Sequence, residues 1–186
     1  MLTRKEIENI LKVHGEKLKK IKACAFDVDG ILTDGKVMFT GSEMGWNRSF
    51  NILDGYGMKL LMKHGLKVGV ITGGNSLAID KRFGELLDVD FVFKGSENKV
   101  PAFENILKLG FKDEEVLYIG DDLFDIPLLK RAGFSATTSL ASFEVLEVAD
   151  YVTQRGPGEG CAREVIDLVR YAQGIIGPEL WESHCQ

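Results

Sequence analysis

Four short apolar runs, each closing on polar residues and separated by stretches with helical spacing, constrain this chain to a parallel α/β sheet. They are 22–26, which leads into Asp27-Val28-Asp29-Gly30; 67–72; 90–94; and 116–119, which leads into Gly120-Asp121-Asp122. Parallel strands need crossover connections, so their carboxyl ends share one edge of the sheet. Asp27, Thr72, Lys99 and Asp121 would converge there, in the crevice where such sheets bind ligands.

The remaining elements fit this plan. Leu2, Ile7, Ile10, Leu11, Leu18 and Ile21 recur at roughly helical spacing, and Thr3 with Glu6 forms a capping-box pattern, which predicts an amphipathic helix over 1–21. Its basic residues are interleaved with Glu6, Glu8 and Glu16, the pattern of a solvated face rather than a membrane surface. Residues 36–40 and 46–52 are strand-forming around Gly41-Ser42-Glu43, which predicts a β-hairpin over 35–52 projecting from the sheet edge. Asp54-Gly55-Tyr56-Gly57 reads as a turn into a helix over 58–64. Further helices are expected over 75–87, 97–109, 122–132, 142–148 and 161–172, with late strands near 134–137 and 150–153.

At 186 residues, 45% hydrophobic and 27% charged, the chain suits a single domain over 1–186 with one well-buried core. A net charge of −5 argues against a nucleic-acid binder that works by neutralising phosphates. Residues 1–20 carry charges throughout, so neither a secretory signal nor a membrane span is expected. Cys24, Cys161 and Cys185 are odd in number and show no ligand spacing, which fits a reduced, cytoplasmic protein with Cys24 in the core.

The acidic residues suggest a chemistry. A carboxylate can displace the leaving group of a phosphate ester in line, forming an aspartyl-phosphate that water later hydrolyses, and Asp27 suits that role. The anionic site then needs a hard cation, for which Mg2+ is expected, held by Asp27, the backbone carbonyl of Asp29 and Asp121. Asp122 would support that shell, and Asp125 would anchor Lys99 or shape the metal loop. Lys99, the Thr72 hydroxyl and the Gly73 N–H would bind the phosphoryl oxygens. Asp29 would protonate the leaving alcohol and then take a proton from the attacking water.

Asp27-Val28-Asp29-Gly30 with Leu32-Thr33-Asp34-Gly35, then Ile71-Thr72-Gly73, Lys99 and Gly120-Asp121-Asp122 with Asp125, resemble the haloacid dehalogenase-like phosphatases over nearly the whole chain. Residues 50–57, 120–127 and 149–153 resemble, within them, the 3-deoxy-D-manno-octulosonate 8-phosphate phosphatase family. The resemblance implies a Rossmann-like sheet with helices on both faces and Mg2+-dependent release of phosphate from an eight-carbon sugar acid in lipopolysaccharide precursor synthesis. It implies the same roles for Asp27, Asp29, Thr72, Lys99 and Asp121.

Neither usual insertion point has room for a cap domain, so this would be a capless member. The resemblance implies a homotetramer whose hairpins form a central barrel. Val37, Met38, Phe39, Trp46 and Phe50 would be buried there or on the chain's own core. Loop 155–160 with Arg163 could receive an anionic group at a helix N-terminus or simply build a turn. With Gly30, Gly73 and Asp54, Arg163 completes the expected substrate-binding set. The tail, 174–186, would reach a neighbouring site or fray. One departure stands out: Gly74 replaces a basic residue common in the family, which weakens the assignment of the sugar. A nine-carbon keto-sugar acid 9-phosphate is the alternative substrate. A phosphoacceptor module that keeps its phosphate is the alternative of another class, against which Asp29 argues.

Overall fold

The computed structural model describes residues 2–43 and 45–175. Six parallel strands form one sheet in the order β5-β4-β1-β6-β7-β8, and a separate two-stranded antiparallel pair, β2 and β3, forms the hairpin. The strands are β1 (Ala23–Phe26), β2 (Met38–Phe39), β3 (Trp46–Asn47), β4 (Lys67–Thr72), β5 (Phe91–Lys94), β6 (Val116–Ile119), β7 (Phe134–Thr138) and β8 (Tyr151–Thr153). From β1 the chain builds outward through β4 to β5 and then returns to β6 on the other side of β1. That reversal opens the crevice beside β1, with Asp27 and Asp121 just beyond the ends of the two strands that flank it.

Alternation along the strands divides the core into two layers. Cys24, Phe26, Val68, Val70, Leu117 and Ile119 face one layer, which holds Leu18 of α1 (Arg4–Lys20), Met58 and Leu61 of α2 (Ile52–Lys63) and Val165 and Val169 of α7 (Cys161–Ala172). Ala23, Ala25, Val116 and Tyr118 face the other, against Phe103 and Ile106 of α4 (Val100–Leu107), Leu128 and Leu129 of α5 (Ile126–Leu129) and Val145 of α6 (Phe143–Val148). Both faces of the sheet are therefore dry. This is why its central strands read as continuous apolar runs rather than alternating ones.

Several expectations hold closely. The α1 capping box is formed by Thr3 and Glu6, and α7 occupies the residues anticipated for it. Cys24 is fully buried in β1, and burial pushes its thiol well up from the ordinary range. No described helix is long and apolar enough to cross a membrane.

Other boundaries move, for local reasons. The second hairpin strand stops at Asn47, and the segment expected to turn at 54–57 is already helix, because the Asn51 side chain caps α2 by accepting from the Leu53 N–H. Gly55 and Gly57 are there for close packing: a β-carbon would come within 2.5 Å of Arg82 at the first and 2.9 Å of Arg163 at the second. The helix expected from residue 75 begins only at Leu77, as α3 (Leu77–Ile79) continued by wider turns over Asp80–Leu86. Ser76 is extended and accepts from Arg48 Nη1 at 2.7 Å. The helix expected from 97 starts at Val100, with Pro in its first turn, since Lys99 is turned into the crevice. The helix expected over 122–132 is a tight turn, Leu123–Asp125, followed by the short α5. The tail residues 176–186, with Leu180 and Trp181, lie outside the described residues.

Candidate active site

The crevice is assembled from the loops that follow β1, β4 and β6, with Lys99 entering from the start of α4. Asp27 is buried, and its Oδ1 accepts from the Val28 N–H at 2.7 Å and lies 2.9 Å from Lys99 Nζ. Lys99 is sealed in by three aromatic or acidic neighbours: Asp125 Oδ1 at 2.7 Å, the Tyr118 hydroxyl at 3.3 Å and the Phe124 ring centroid at 4.5 Å. An ammonium taken out of water is tolerable only with such partners.

Asp125 is the hub. Its Oδ1 accepts from Lys99 and from the Tyr118 hydroxyl at 2.5 Å, and its Oδ2 accepts from the N–H groups of Asp121 at 3.0 Å and Asp122 at 3.2 Å. It therefore both anchors the lysine and shapes the acidic loop. Asp122 caps the next turn by accepting from the Leu123 N–H at 2.7 Å. Its side chain thus steadies the loop that presents Asp121.

Oxygens of Asp27, Asp121 and Asp125 lie within 4.8 Å of one another. With both Asp125 oxygens already engaged, the ligands left for a cation are Asp27 and Asp121. Asp121 Oδ1 is buried without a hydrogen-bond partner, an orphaned anionic oxygen of the kind a hard divalent ion satisfies. Burial, then the charge of Asp125, raises the Asp121 carboxyl to about 7, and burial holds Asp27 well above the usual carboxylate range despite Lys99. One ammonium facing three carboxylates leaves excess negative charge, so the residues fit a divalent cation.

Gly30 makes the approach possible. It has φ +88°, and a β-carbon there would sit 2.0 Å from Asp121 Oδ2. Any side chain would drive the two acidic loops apart. Thr72 is buried at the end of β4, its Oγ1 accepting from the Gly74 N–H at 3.1 Å, which leaves the hydroxyl proton free to donate. Gly73 follows it at the same sheet edge. A cleft of about 360 Å³ is lined by Thr72, Ser96, Asn98, Lys99 and Asn105.

Asp29 is engaged by a residue that the sequence did not single out. Arg48, just past the hairpin, grips it with two bonds, Nε to Oδ1 at 2.6 Å and Nη2 to Oδ2 at 2.8 Å, and Thr33 Oγ1 adds a third at 3.3 Å. Tyr118 and Phe124 are likewise additions. Their only sequence signal is position, Tyr118 two residues before Gly120 and Phe124 directly before Asp125.

Asp54 and Arg163, expected to hold substrate, are tied to each other. Asp54 Oδ1 accepts from the Arg163 N–H at 2.7 Å, and the Arg163 guanidinium is occupied by Asp167 at 3.0 Å, the Leu53 carbonyl at 3.4 Å and the Tyr56 ring. These contacts join α2 to the N-terminus of α7. Loop 155–160 is a buttress: the Gly158 N–H donates to the Ile31 carbonyl at 2.9 Å, and its carbonyl accepts from Asn51 Nδ2 at 3.0 Å.

Burial raises Asp54 to about 6, with one oxygen unpartnered. A carboxyl held higher when folded than when unfolded binds more protons in the folded state between about pH 4 and 6, so its contribution to stability falls as pH rises through that window. Two pKa units correspond to at most about 3 kcal/mol. We expect Asp54→Asn to flatten the decline in unfolding free energy from pH 4 to 6. An unchanged slope in urea titrations would assign the decline elsewhere.

Residues 61–165 match the haloacid dehalogenase-like hydrolase family. The chain is 36% identical over 161 residues to the 3-deoxy-D-manno-octulosonate 8-phosphate phosphatase KdsC of Escherichia coli, covering 86% of this chain and 85% of that one. It is a haloacid dehalogenase-like hydrolase. Among solved structures, the 3-deoxy-D-manno-octulosonate 8-phosphate phosphatase of Moraxella catarrhalis, in complex with magnesium, phosphate and KDO, superposes with a TM-score of 0.84 at 32% identity over 99% of this chain and 100% of that one. The cobalt-bound enzyme of Haemophilus influenzae gives 0.78 at 34% identity over 85% of this chain and 92% of that one. For this hydrolase the similarity spans both acidic loops and the strands that carry them.

Proposed function

We propose that this hydrolase is a Mg2+-dependent phosphomonoesterase that converts 3-deoxy-D-manno-octulosonate 8-phosphate to 3-deoxy-D-manno-octulosonate and phosphate, in the cytoplasmic synthesis of lipopolysaccharide precursors. The observation that carries the chemistry is Asp27. It is a buried carboxylate with Oδ1 fixed by Val28 and Lys99, beside an orphaned Asp121 oxygen. The eight-carbon substrate is supported by the relatives' 36% identity across 86% of the chain.

Asp27 and Asp121, with the backbone carbonyl of Asp29, would hold the ion. When bound it offsets charge on the carboxylates and on the phosphoryl oxygens. The chain's own groups do the rest. Thr72, the Gly73 N–H and Lys99 orient the phosphoryl group in line with Asp27 Oδ2. Asp27 attacks phosphorus, the bond to the sugar oxygen breaks, and Asp29 gives that oxygen its proton. Water then attacks the aspartyl-phosphate, its proton passes to Asp29, and the bond from Asp27 to phosphorus breaks to release phosphate.

The test is a phosphate-release screen over sugar phosphates. Turnover of the eight-carbon 8-phosphate is expected to require Mg2+, to stop with a chelator and to return when the ion is restored. Equal turnover of nine-carbon 9-phosphates would refute the sugar-length assignment. A stable phosphoprotein that releases no phosphate would refute hydrolysis.

The exposed hairpin supports a homotetramer. Val37 is 48% exposed, Met38 65%, Phe39 58% and Trp46 53%, which makes an apolar patch unusual on a chain that works alone. Phe50 instead packs on the chain's own core, edge-to-face with Phe83 at 5.3 Å. Light scattering is expected to give four chains, and Phe39→Glu with Trp46→Glu to give one.

A further inference from the structure

We propose that Arg48 is a positioning residue for Asp29, and that Gly74 is glycine because a side chain there would displace it. This rests on the acid/base role given to Asp29 above. The Arg48 side chain is only 5% exposed, yet it ends on a carboxylate that is 31% exposed, at the mouth of the site. A buried guanidinium is costly unless its donors are matched, and this one is matched on three sides: Asp29 Oδ1, Asp29 Oδ2 and Ser76 Oγ.

Such a fork fixes the plane of a carboxylate as well as its position, which a lysine cannot do. Asp29 needs that help. It lies in a loop rather than a strand, and among the described residues its one other partner is the Thr33 hydroxyl at 3.3 Å. Arg48 and Ser76 come from outside that loop, so the clamp ties the catalytic loop both to the segment after the hairpin and to the segment after β4.

Gly74 is the independent observation. A β-carbon at residue 74 would lie 3.0 Å from Arg48 Nη2 and 3.2 Å from Asp29 Oδ2, so a side chain there must push against both members of the pair. Nothing about the backbone at 74 requires glycine, since its φ is not in the left-handed region. What the residue protects is the space that the pair fills.

Proton transfer depends steeply on placement, and a misplacement of about 1 Å can cost a hundredfold. The test is a double-mutant cycle on kcat, with Arg48→Ala, Asp29→Asn and the two together, each protein checked for cooperative unfolding. Arg48→Ala is expected to lower kcat about ten- to a hundredfold in the parent and by less than about twofold in the Asp29→Asn background. With p-nitrophenyl phosphate, whose leaving group needs no proton, Arg48→Ala should show a burst of nitrophenol and accumulate phosphoenzyme, because the water-attack step still needs Asp29. Arg48→Lys should recover only part of kcat, and Gly74→Ala should give a milder form of the same burst.

Additive losses in the double variant, a change in KM alone, or no burst would overturn the proposal. If Asp29→Asn were as active as the parent, the acid/base reading of Asp29 would fail first and take this one with it. A normal deficit in Asp29→Asn beside a fully active Arg48→Ala would overturn this proposal alone.

Discussion

Asp27→Asn protein is expected to lose turnover by about four powers of ten or more, the scale seen when a catalytic nucleophile is removed, while folding as the parent does. The two outcomes follow from different atoms of one side chain. An amide keeps the shape of the carboxylate and, with its oxygen in the Oδ1 position, still accepts the Val28 N–H, so the turn after β1 keeps its cap. Burial already disfavours charge at this position, so neutralising it removes a strained anion from the folded state. The nucleophilic oxygen is lost outright. Phosphate release and thermal unfolding, measured on the same preparation, separate the two. Substantial release from pure Asp27→Asn protein would defeat the covalent scheme.

Lys99→Met should damage both activity and stability. The ammonium is wholly buried, 2.9 Å from Asp27 and 2.7 Å from Asp125. Methionine replaces the aliphatic stem but leaves Asp27, Asp121 and Asp125 facing one another without a cation. Breaking a buried pair by removing one partner costs about 3–5 kcal/mol, and loss of transition-state charge stabilisation costs about a further two to three powers of ten in kcat. Carboxyls crowded together bind protons more readily folded than unfolded, so the variant should regain stability as pH falls toward 5. Mg2+ should also restore part of it by binding only the folded form. A variant equally stable at pH 8 with and without the ion would show that Lys99 does not balance this cluster.

The fold was legible because its signals are periodic. Runs such as 67–72 and 116–119 are apolar on both faces only because helices cover the sheet on both sides, and that same burial makes them stand out in the sequence. The residues that end these runs fell into one crevice as expected, since parallel strands leave no other place for them. Asp27, Thr72, Lys99 and Asp121 were found in this way.

The residues and contacts that were missed carry no periodic signal. Arg48 read as one more polar residue of an alternating strand. Nothing local says that the strand stops at Asn47 and that the next side chain turns inward to meet a partner nineteen positions earlier. Asp54 and Arg163 pair with each other, which nothing local in the sequence announces. Their bond spans 109 positions and depends on how α7 packs on α2, a tertiary fact. The early start of α2 has the same origin, since glycines that would signal a turn are there to let helices touch.

Asp125 holds the lysine with one oxygen and the backbone of the acidic loop with the other. A lesion at this position would therefore spread in two directions at once, freeing a cation on one side and slackening a peptide segment on the other. No single replacement can report on either function by itself. The two can be separated only by touching their far ends, the lysine's partners in one experiment and the loop's amides in another.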